Sequence, residues 1–186
     1  MSAPGKRPAT YEDLLALPEH QVGEIIDGEL IVSPRPAPRH ARASSRLGGV
    51  LDGPFDRGSG GPGGWIILDE PELHRQGDVL VPDLAGWRRE RLPRLPDAAY
   101  FELAPDWICE VLSPSTETVD RARKMRIYAR EGVGHAWLIN PVNRTLEVLR
   151  LSGGSWLLVT TLHSESVARI EPFDAIDIDV TSLWAD

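Results

Sequence analysis

Two carboxylates lie inside apolar runs that otherwise predict buried β-strands. Asp83 belongs to residues 79–87 (VLVPDLAGW), and Glu110 belongs to residues 107–112 (WICEVL). A buried carboxylate is costly unless it is paired, hydrogen-bonded or bound to a metal ion. Pro82 cannot donate to a sheet ladder, so it indicates a strand end, an edge or a bulge beside Asp83. Any fold of this chain must therefore provide partners for two acids at strand positions.

The other patterns predict a mixed α/β (α+β) domain in which strands outnumber helices. Asp27 and Gly28 stand between two apolar runs, which is a strong hairpin signal. Helices are predicted near residue 10 and at residues 38–51, 116–131 and 180–184. Further strands are predicted at residues 65–68, 79–87, 107–112, 135–140, 145–151 and 155–161. Residues 53–64 (GPFDRGSGGPGG) lack the lysine of a phosphate-binding loop and predict a flexible connection.

The length of 186 residues is typical of one domain. We expect a flexible tail at residues 1–9 and a single domain at residues 10–186. An apolar fraction of 41% excludes a mostly disordered chain. The sequence has no bilayer-spanning stretch and no apolar core of a secretory signal, and its single cysteine excludes a disulfide framework. These features predict a cytoplasmic protein without a membrane partner.

Lysine is rare in this chain, which contains 18 arginines but only Lys6 and Lys124. Asp120, Lys124 and Tyr128 follow at spacings of four, so they share one helix face. Lysine differs from arginine where a compact, tunable ammonium must lie beside other charges. A surface ion pair with Asp120 is the alternative explanation for Lys124, and packing is the alternative for Tyr128.

Two acids and a lysine are the minimum set for metal-assisted hydrolysis of a phosphodiester. Magnesium prefers oxygen ligands and retains several waters, so two carboxylates and a carbonyl suffice to hold it. The metal polarises the phosphoryl oxygen, and the lysine orients the attacking water or offsets developing charge. An ion pair at a strand end is the alternative for Asp83 and Glu110.

Four further segments of the chain are distinctive in their order and spacing, together with Asp120, Lys124 and Tyr128. They are residues 24–30 (EIIDGEL), 81–84 (VPDL), 109–116 (CEVLSPST) and 132–141 (GVGHAWLINP). In this combination they resemble the Uma-two family of proposed restriction endonucleases, which belongs to the PD-(D/E)XK nuclease superfamily. The resemblance covers nearly the whole chain. It implies a restriction-endonuclease-like core, which is a central mixed β-sheet flanked by helices.

The resemblance also implies roles for individual residues. Asp83 and Glu110 match the two motif acids and would hold Mg²⁺, or Mn²⁺ as a substitute, with the carbonyl of Val111 as a third ligand. Leu112 stands where the superfamily motif has lysine. In the resembling family this lysine lies on the following helix, at the position that Lys124 occupies.

Two upstream residues also match the resembling family. Glu24 matches an acid that adds a ligand or positions a water, and a polar hairpin residue is the alternative. His40 matches a histidine that the family often has at the start of the second helix, and a capping or surface histidine is the alternative.

The expected function is a metal-dependent DNA endonuclease, a hydrolase of phosphodiester bonds. The net charge of −8 argues against binding nucleic acid by bulk charge, so local basic clusters must supply the phosphate contacts. The candidate contacts are Arg39, His40, Arg42, Arg46, Arg121 and Arg123. The alternative function is a non-catalytic nuclease-fold module for DNA binding or protein interaction, with the displaced lysine as the sign of lost chemistry.

A homodimer is a further expectation, because nucleases of the resembling superfamily often pair so that two sites reach two strands. The apolar residues 155–160 (SWLLVT) would form an aggregation-prone edge if left bare. We therefore expect this strand to be central in the sheet or covered.

Overall fold

The computed structural model describes residues 7–18, 21–164 and 166–184. Its helices are α1 (Tyr11–Leu15), α2 (Pro38–Leu51), α3 (Glu117–Val119), α4 (Met125–Arg130) and α5 (Thr181–Trp184). Two π-helical segments, Asp52–Asp56 and Asp120–Lys124, continue α2 and join α3 to α4. We call residues 117–130 the interrupted helix. Among the described residues, no helix is both long enough and apolar enough to cross a bilayer.

The strands form three sheets. They are β1 (Gln21–Ile26), β2 (Glu29–Pro34), β3 (Trp65–Asp69), β4 (Leu73–Arg75), β5 (Asp78–Leu80), β6 (Leu84–Arg88), β7 (Trp107–Val111), β8 (His135–Asn140), β9 (Thr145–Ser152), β10 (Ser155–His163), β11 (Val167–Ala168) and β12 (Ile178–Asp179). The central sheet has the order β10-β9-β8-β7-β6-β3 and is mixed, because β7 and β8 are parallel and the other pairs antiparallel. A four-stranded antiparallel sheet has the order β2-β1-β5-β4, and β11 pairs with β12.

Helices cover both faces of the central sheet, which confirms the predicted fold class. On one face, α2 and α5 enclose a core that includes Trp107, Cys109 and Val111 of β7. On the other face, the interrupted helix packs with Ile108 of β7. Because successive strand residues point to opposite faces, Glu110 lies on the same face as Ile108, towards the interrupted helix.

The predicted strand at residues 79–87 is in fact two strands in two different sheets. Its first part is β5 in the four-stranded sheet, and its last part is β6 in the central sheet. The chain crosses between the sheets at residues 81–83, where Pro82 has no N–H for a ladder. This crossing places Asp83 at the junction of the two sheets.

The hairpin and the second helix are confirmed. Asp27 and Gly28 have φ values of 54° and 74°, as a tight hairpin turn requires. The flexible connection predicted at residues 53–64 is wrong for its first part, because Phe55 is buried and its ring centroid lies 4.7 Å from that of Phe173. Of the predicted tail, residues 1–6 lie outside the described residues, whereas the Arg7 guanidinium pairs with Asp13 at 2.6 Å.

Candidate active site

Four residues proposed for catalysis converge on one cavity of about 310 Å³ at the junction of the two sheets. Glu24 enters from β1, Asp83 from the crossing between the sheets, Glu110 from β7 and Lys124 from the interrupted helix. They are separated by up to 100 positions in the sequence, so the cavity is a product of tertiary folding. Their catalytic roles stay predictions.

The Lys124 ammonium lies at the centre of a group of acids. Its Nζ is 2.8 Å from Glu110 Oε1, 3.0 Å from Glu24 Oε1 and 3.7 Å from Asp120 Oδ1, and it donates to the Val81 carbonyl at 3.3 Å. Only 3% of the side chain is exposed. The alternative of a surface ion pair with Asp120 is therefore wrong, because Lys124 is buried among three carboxylates.

A π-helical segment brings Asp120 and Lys124 into the cavity. The N–H of Met125 donates to the carbonyl of Asp120, five residues back rather than four. This wider turn changes the direction in which the following side chains leave the helix. Both Asp120 and Lys124 are buried within it.

Glu110 is held by two groups on the interrupted helix. Its Oε1 atom contacts the Lys124 ammonium and accepts a hydrogen bond from the Tyr128 hydroxyl at 2.6 Å. Burial raises the pKa of Glu110 well above its usual range, and the positive charge of Lys124 opposes that rise. Tyr128 thus positions a site carboxylate, in addition to the packing role weighed from the sequence.

Asp83 connects the crossing segment to β7. Its Oδ2 atom accepts a hydrogen bond from the N–H of Val111 at 2.7 Å, and its Oδ1 atom lies 3.3 Å from His40 Nε2. Burial raises the pKa of Asp83 to about 7, although the Val111 N–H works in the opposite direction. One carboxylate oxygen is therefore occupied by the backbone, and the other faces the imidazole.

His40 lies in the first turn of α2 and lines the cavity. From the sequence it was expected to contact DNA together with the arginines of α2. Its Nδ1 atom is buried and has no hydrogen-bond partner among the described residues. Burial lowers the pKa of His40, and hydrogen bonding to the Val111 backbone partly offsets this.

Two further acids line the cavity but were not proposed as site residues. Asp120 shares a helix face with Lys124, and this spacing was visible in the sequence. Glu70 follows β3 in a left-handed conformation, with φ of 46°. No local pattern in the sequence marks Glu70, because only the return of β6 alongside β3 brings it to the cavity.

The donor set suits a hard divalent cation, although it is not arranged as a finished metal centre. Carboxylate and carbonyl oxygens are the ligands that Mg²⁺ prefers. Within the described part of the chain, no three His, Cys, Asp or Glu side chains have an arrangement that could hold a metal ion. The Glu24 and Glu110 carboxylates instead contact Lys124. Of the residues proposed as ligands, Asp83 and Val111 line the cavity together with His40, and Asp83 Oδ1 faces the His40 ring.

The arginines predicted to contact DNA differ in whether their side chains already have partners within the protein. Arg121 is paired with Glu117 and Glu147, and Arg123 is paired with Glu29 and donates to a backbone carbonyl. The described residues contain no ion-pair or hydrogen-bond partner for the exposed side chains of Arg39 and Arg46 on α2. We call these two residues the α2 arginine stripe.

Comparison with known proteins identifies a family and a solved structure to which this chain is similar. The family described as "Uma2: Putative restriction endonuclease" matches residues 8–181. A crystal structure described as that of "a putative nuclease belonging to DUF820" from Anabaena variabilis ATCC 29413 is 23% identical in sequence. The similarity has a TM-score of 0.76 and covers 95% of this chain and 98% of that one, so the two share a fold. No curated protein matches the chain.

Proposed function

The chain belongs to the Uma2 family of restriction-endonuclease-like proteins, and from this premise we propose that it is a metal-dependent DNA endonuclease. The family and the fold support a nuclease. The observation that carries the finer proposal is the burial of Lys124 against Glu24 and Glu110, within the cavity that Asp83 also lines. A fold does not by itself specify chemistry, so the proposal depends on this cluster.

Each residue has a distinct task in the proposed reaction. Asp83, Glu110 and the Val111 carbonyl would hold Mg²⁺ or Mn²⁺, which supplies polarisation of the phosphoryl oxygen. Lys124 donates towards the attacking water or the developing negative charge. Glu24 accepts the N–H of Val81 at 2.7 Å, which fixes its carboxylate beside that ammonium. Tyr128 donates to Glu110 Oε1, the same oxygen that the Lys124 ammonium contacts, and so helps to fix this carboxylate.

Cleavage of supercoiled plasmid and of single-stranded DNA at low salt tests this function. We expect nicking in Mg²⁺ or Mn²⁺ and none in EDTA. Absence of cleavage in every metal, with no cation bound in calorimetry, would contradict the proposal. The second candidate function, a non-catalytic nuclease-fold module, would then be favoured, because Glu24 and Glu110 already have Lys124 as their counter-ion.

The α2 arginine stripe is proposed to bind DNA phosphates. The stripe begins beside the cavity, since His40 directly follows Arg39. Replacing Arg39 or Arg46 with alanine should weaken DNA binding for all sequences. Each change should reduce the slope of log K against log salt concentration by about 1, since one phosphate contact is lost.

Arg121→Ala is the matched control for the stripe, because Arg121 is already paired with Glu117 and Glu147. Binding of a fluorescent DNA duplex is measured by anisotropy over a series of salt concentrations. An Arg121→Ala slope that falls as much as the Arg39→Ala slope would contradict the assignment of the stripe.

A homodimer formed through β10 is also proposed. Of the two expectations for this strand, the central position is wrong, because β10 is an edge of the central sheet. A second copy would give it the cover that was the other expectation. The β10 residues Leu157, Leu158 and Val159 are exposed at 49%, 54% and 42%, and the strand contains no acid, arginine or lysine. Such an edge readily pairs with another strand, and a second copy offers an identical one.

Light scattering coupled to gel filtration tests the dimer. We expect twice the chain mass of 20.5 kDa for the natural protein and a monomer for Leu158→Lys. Val142→Lys is the matched control, since Val142 is 64% exposed and lies outside β10. A natural protein that is monomeric at high concentration would rule out the dimer.

A further inference from the structure

A second, smaller cavity of the protein is lined by basic side chains. Its volume is about 140 Å³, and its lining includes Arg39 and Arg42 of α2 and Arg144 of the turn between β8 and β9. We call this cavity the arginine pocket. None of the described residues that line it is an acid. Pockets for whole small molecules usually measure about 300–1,000 Å³, so the arginine pocket suits a single small anionic group.

The arginine pocket is a neighbour of the candidate active site, because β7 and β8 are parallel and end at the same edge of the central sheet. Val111 at the end of β7 pairs in register with Ile139 of β8. Val111 lines the active-site cavity, and Pro141, just beyond β8, lines the arginine pocket. The first turn of α2 borders both, with His40 in the cavity and Arg39 in the pocket. One nucleic acid strand can therefore reach both places.

Arg144 has a backbone conformation that arginine seldom adopts. Its φ is 54°, in the left-handed region that favours glycine and asparagine. The Asn140 side chain accepts the N–H groups of Val142 and Asn143 at 3.1 and 2.9 Å. The Arg144 carbonyl accepts the N–H of Ser164 at 3.0 Å, so the turn is fixed from both sides. An arginine that is held in this strained conformation points to a function for its side chain.

The other walls of the pocket leave its guanidinium groups available to a ligand. Leu183 and Trp184 are almost fully buried, and the Trp184 indole donates to the Ser164 carbonyl at 3.0 Å. The side chains of Arg39 and Arg144 are exposed and have no ion-pair or hydrogen-bond partner in the described part of the chain. The planar fork of N–H donors on a guanidinium matches the oxygens of a phosphate group.

We propose that the arginine pocket binds the terminal phosphate of a nucleic acid strand, so that the protein prefers phosphorylated DNA ends to hydroxyl ends. This inference rests on the proposed nuclease function and deepens it by naming a class of substrate. A terminal phosphate carries about 1.5 to 2 negative charges at pH 7, whereas each phosphodiester carries one. The doubly charged group is the better match for arginines that are gathered without an acid. Hydrolysis of a phosphodiester also leaves a phosphate on one of the two new ends, so each cut supplies a ligand of this class.

Fluorescence anisotropy in EDTA measures end binding without cleavage. Three single-stranded oligonucleotides of one sequence carry a 5′-phosphate, a 3′-phosphate or hydroxyl groups at both ends, with the dye attached internally. The natural protein should bind one of the phosphorylated strands at least about tenfold more tightly than the hydroxyl strand, because hydrogen bonds to charged groups are the strong ones. The preferred strand identifies which end the pocket holds.

Arg144→Asn removes the charge and keeps the turn, since asparagine tolerates a left-handed φ. It should lower the preference for the phosphorylated strand at least about fivefold, with little change for the hydroxyl strand. Arg94→Asn is the matched control, because Arg94 is also exposed and without a partner among the described residues but lies outside the pocket. Thermal unfolding shows that both variants are folded.

Two results would overturn the proposal. One is equal binding of all three strands by the natural protein, and the other is a preference that survives in Arg144→Asn. Nicking of intact plasmid tests the nuclease function separately. Nicking without an end preference would refute the arginine pocket and leave the proposed function standing, whereas an end preference without nicking would do the reverse.

Discussion

Replacing Asp83 with asparagine is expected to lower metal-dependent cleavage by about 10³-fold or more without unfolding the protein. Metal assistance contributes several kcal/mol to transition-state stabilisation, and about 1.4 kcal/mol corresponds to a tenfold change in rate. Asparagine has the same shape as aspartate, and its carbonyl oxygen can still accept the Val111 N–H that Asp83 Oδ2 accepts at 2.7 Å. Its amide group would then replace the oxygen that faces the cavity, and an amide N–H₂ group repels a cation.

Three measurements separate this expectation from a loss of structure. Plasmid nicking gives the rate, calorimetry gives cation affinity and thermal denaturation gives stability. Asp69→Asn is the matched control, because Asp69 pairs in register with Leu84, next to Asp83, but does not line the cavity. A folded Asp83→Asn variant that cleaves at the natural rate would exclude Asp83 from the chemistry.

The positions of the two motif acids could be predicted because they depend on local rules. Period-two alternation in residues 107–112 places Glu110 opposite Trp107 and Cys109, on the face of the interrupted helix. The missing N–H of Pro82 marked an irregularity beside Asp83. The sequence could not show that the chain changes sheets there, since both halves of residues 79–87 have the same apolar character.

Local sequence patterns could not predict which acids pair with the arginines. Arg121 and Arg123 resemble the α2 arginines in composition, yet their partners Glu147 and Glu29 lie 26 and 94 positions away. Whether an arginine is free to bind phosphate is therefore decided by tertiary contacts. The π-helical turn at residues 120–124 was likewise invisible, because its sequence has ordinary α-helical character.

Replacing Lys124 with methionine is expected to lower the free energy of unfolding by about 3–5 kcal/mol at neutral pH, the usual cost of removing one partner from a buried ion pair. Methionine has a similar length, so little packing volume is lost. The variant leaves Glu24 and Glu110 buried without the ammonium that lies 3.0 Å and 2.8 Å from them. Urea denaturation at fixed pH measures the change. Arg126→Met is the matched control on the same helix, because Arg126 is 64% exposed and its ion pair with Asp27 should contribute under about 1 kcal/mol.

The loss of stability in Lys124→Met should depend on pH in a defined direction. In the natural protein burial raises the folded-state pKa of Glu110 and of Asp120, and the charge of Lys124 opposes both rises. Removing that charge should raise the two folded-state pKa values further, whereas the unfolded chain titrates near the ordinary values of 4.5 and 3.8. Below those values the acids are protonated in both states, so the variant should approach the natural stability. As pH rises from there towards the raised pKa values, the unfolded state loses its protons first and the variant becomes progressively less stable.

A second substitution shows whether uncompensated charge is the cause. Glu110→Gln combined with Lys124→Met should recover part of the lost stability, because one buried carboxylate is removed with its counter-ion.

Mg²⁺ should also stabilise Lys124→Met more than it stabilises the natural protein, since a bound cation replaces the lost positive charge and binds the folded state selectively. A loss below about 1 kcal/mol that does not vary with pH would match an exposed ion pair instead. That result would contradict the buried position of Lys124 and, with it, the arrangement on which the proposed chemistry depends.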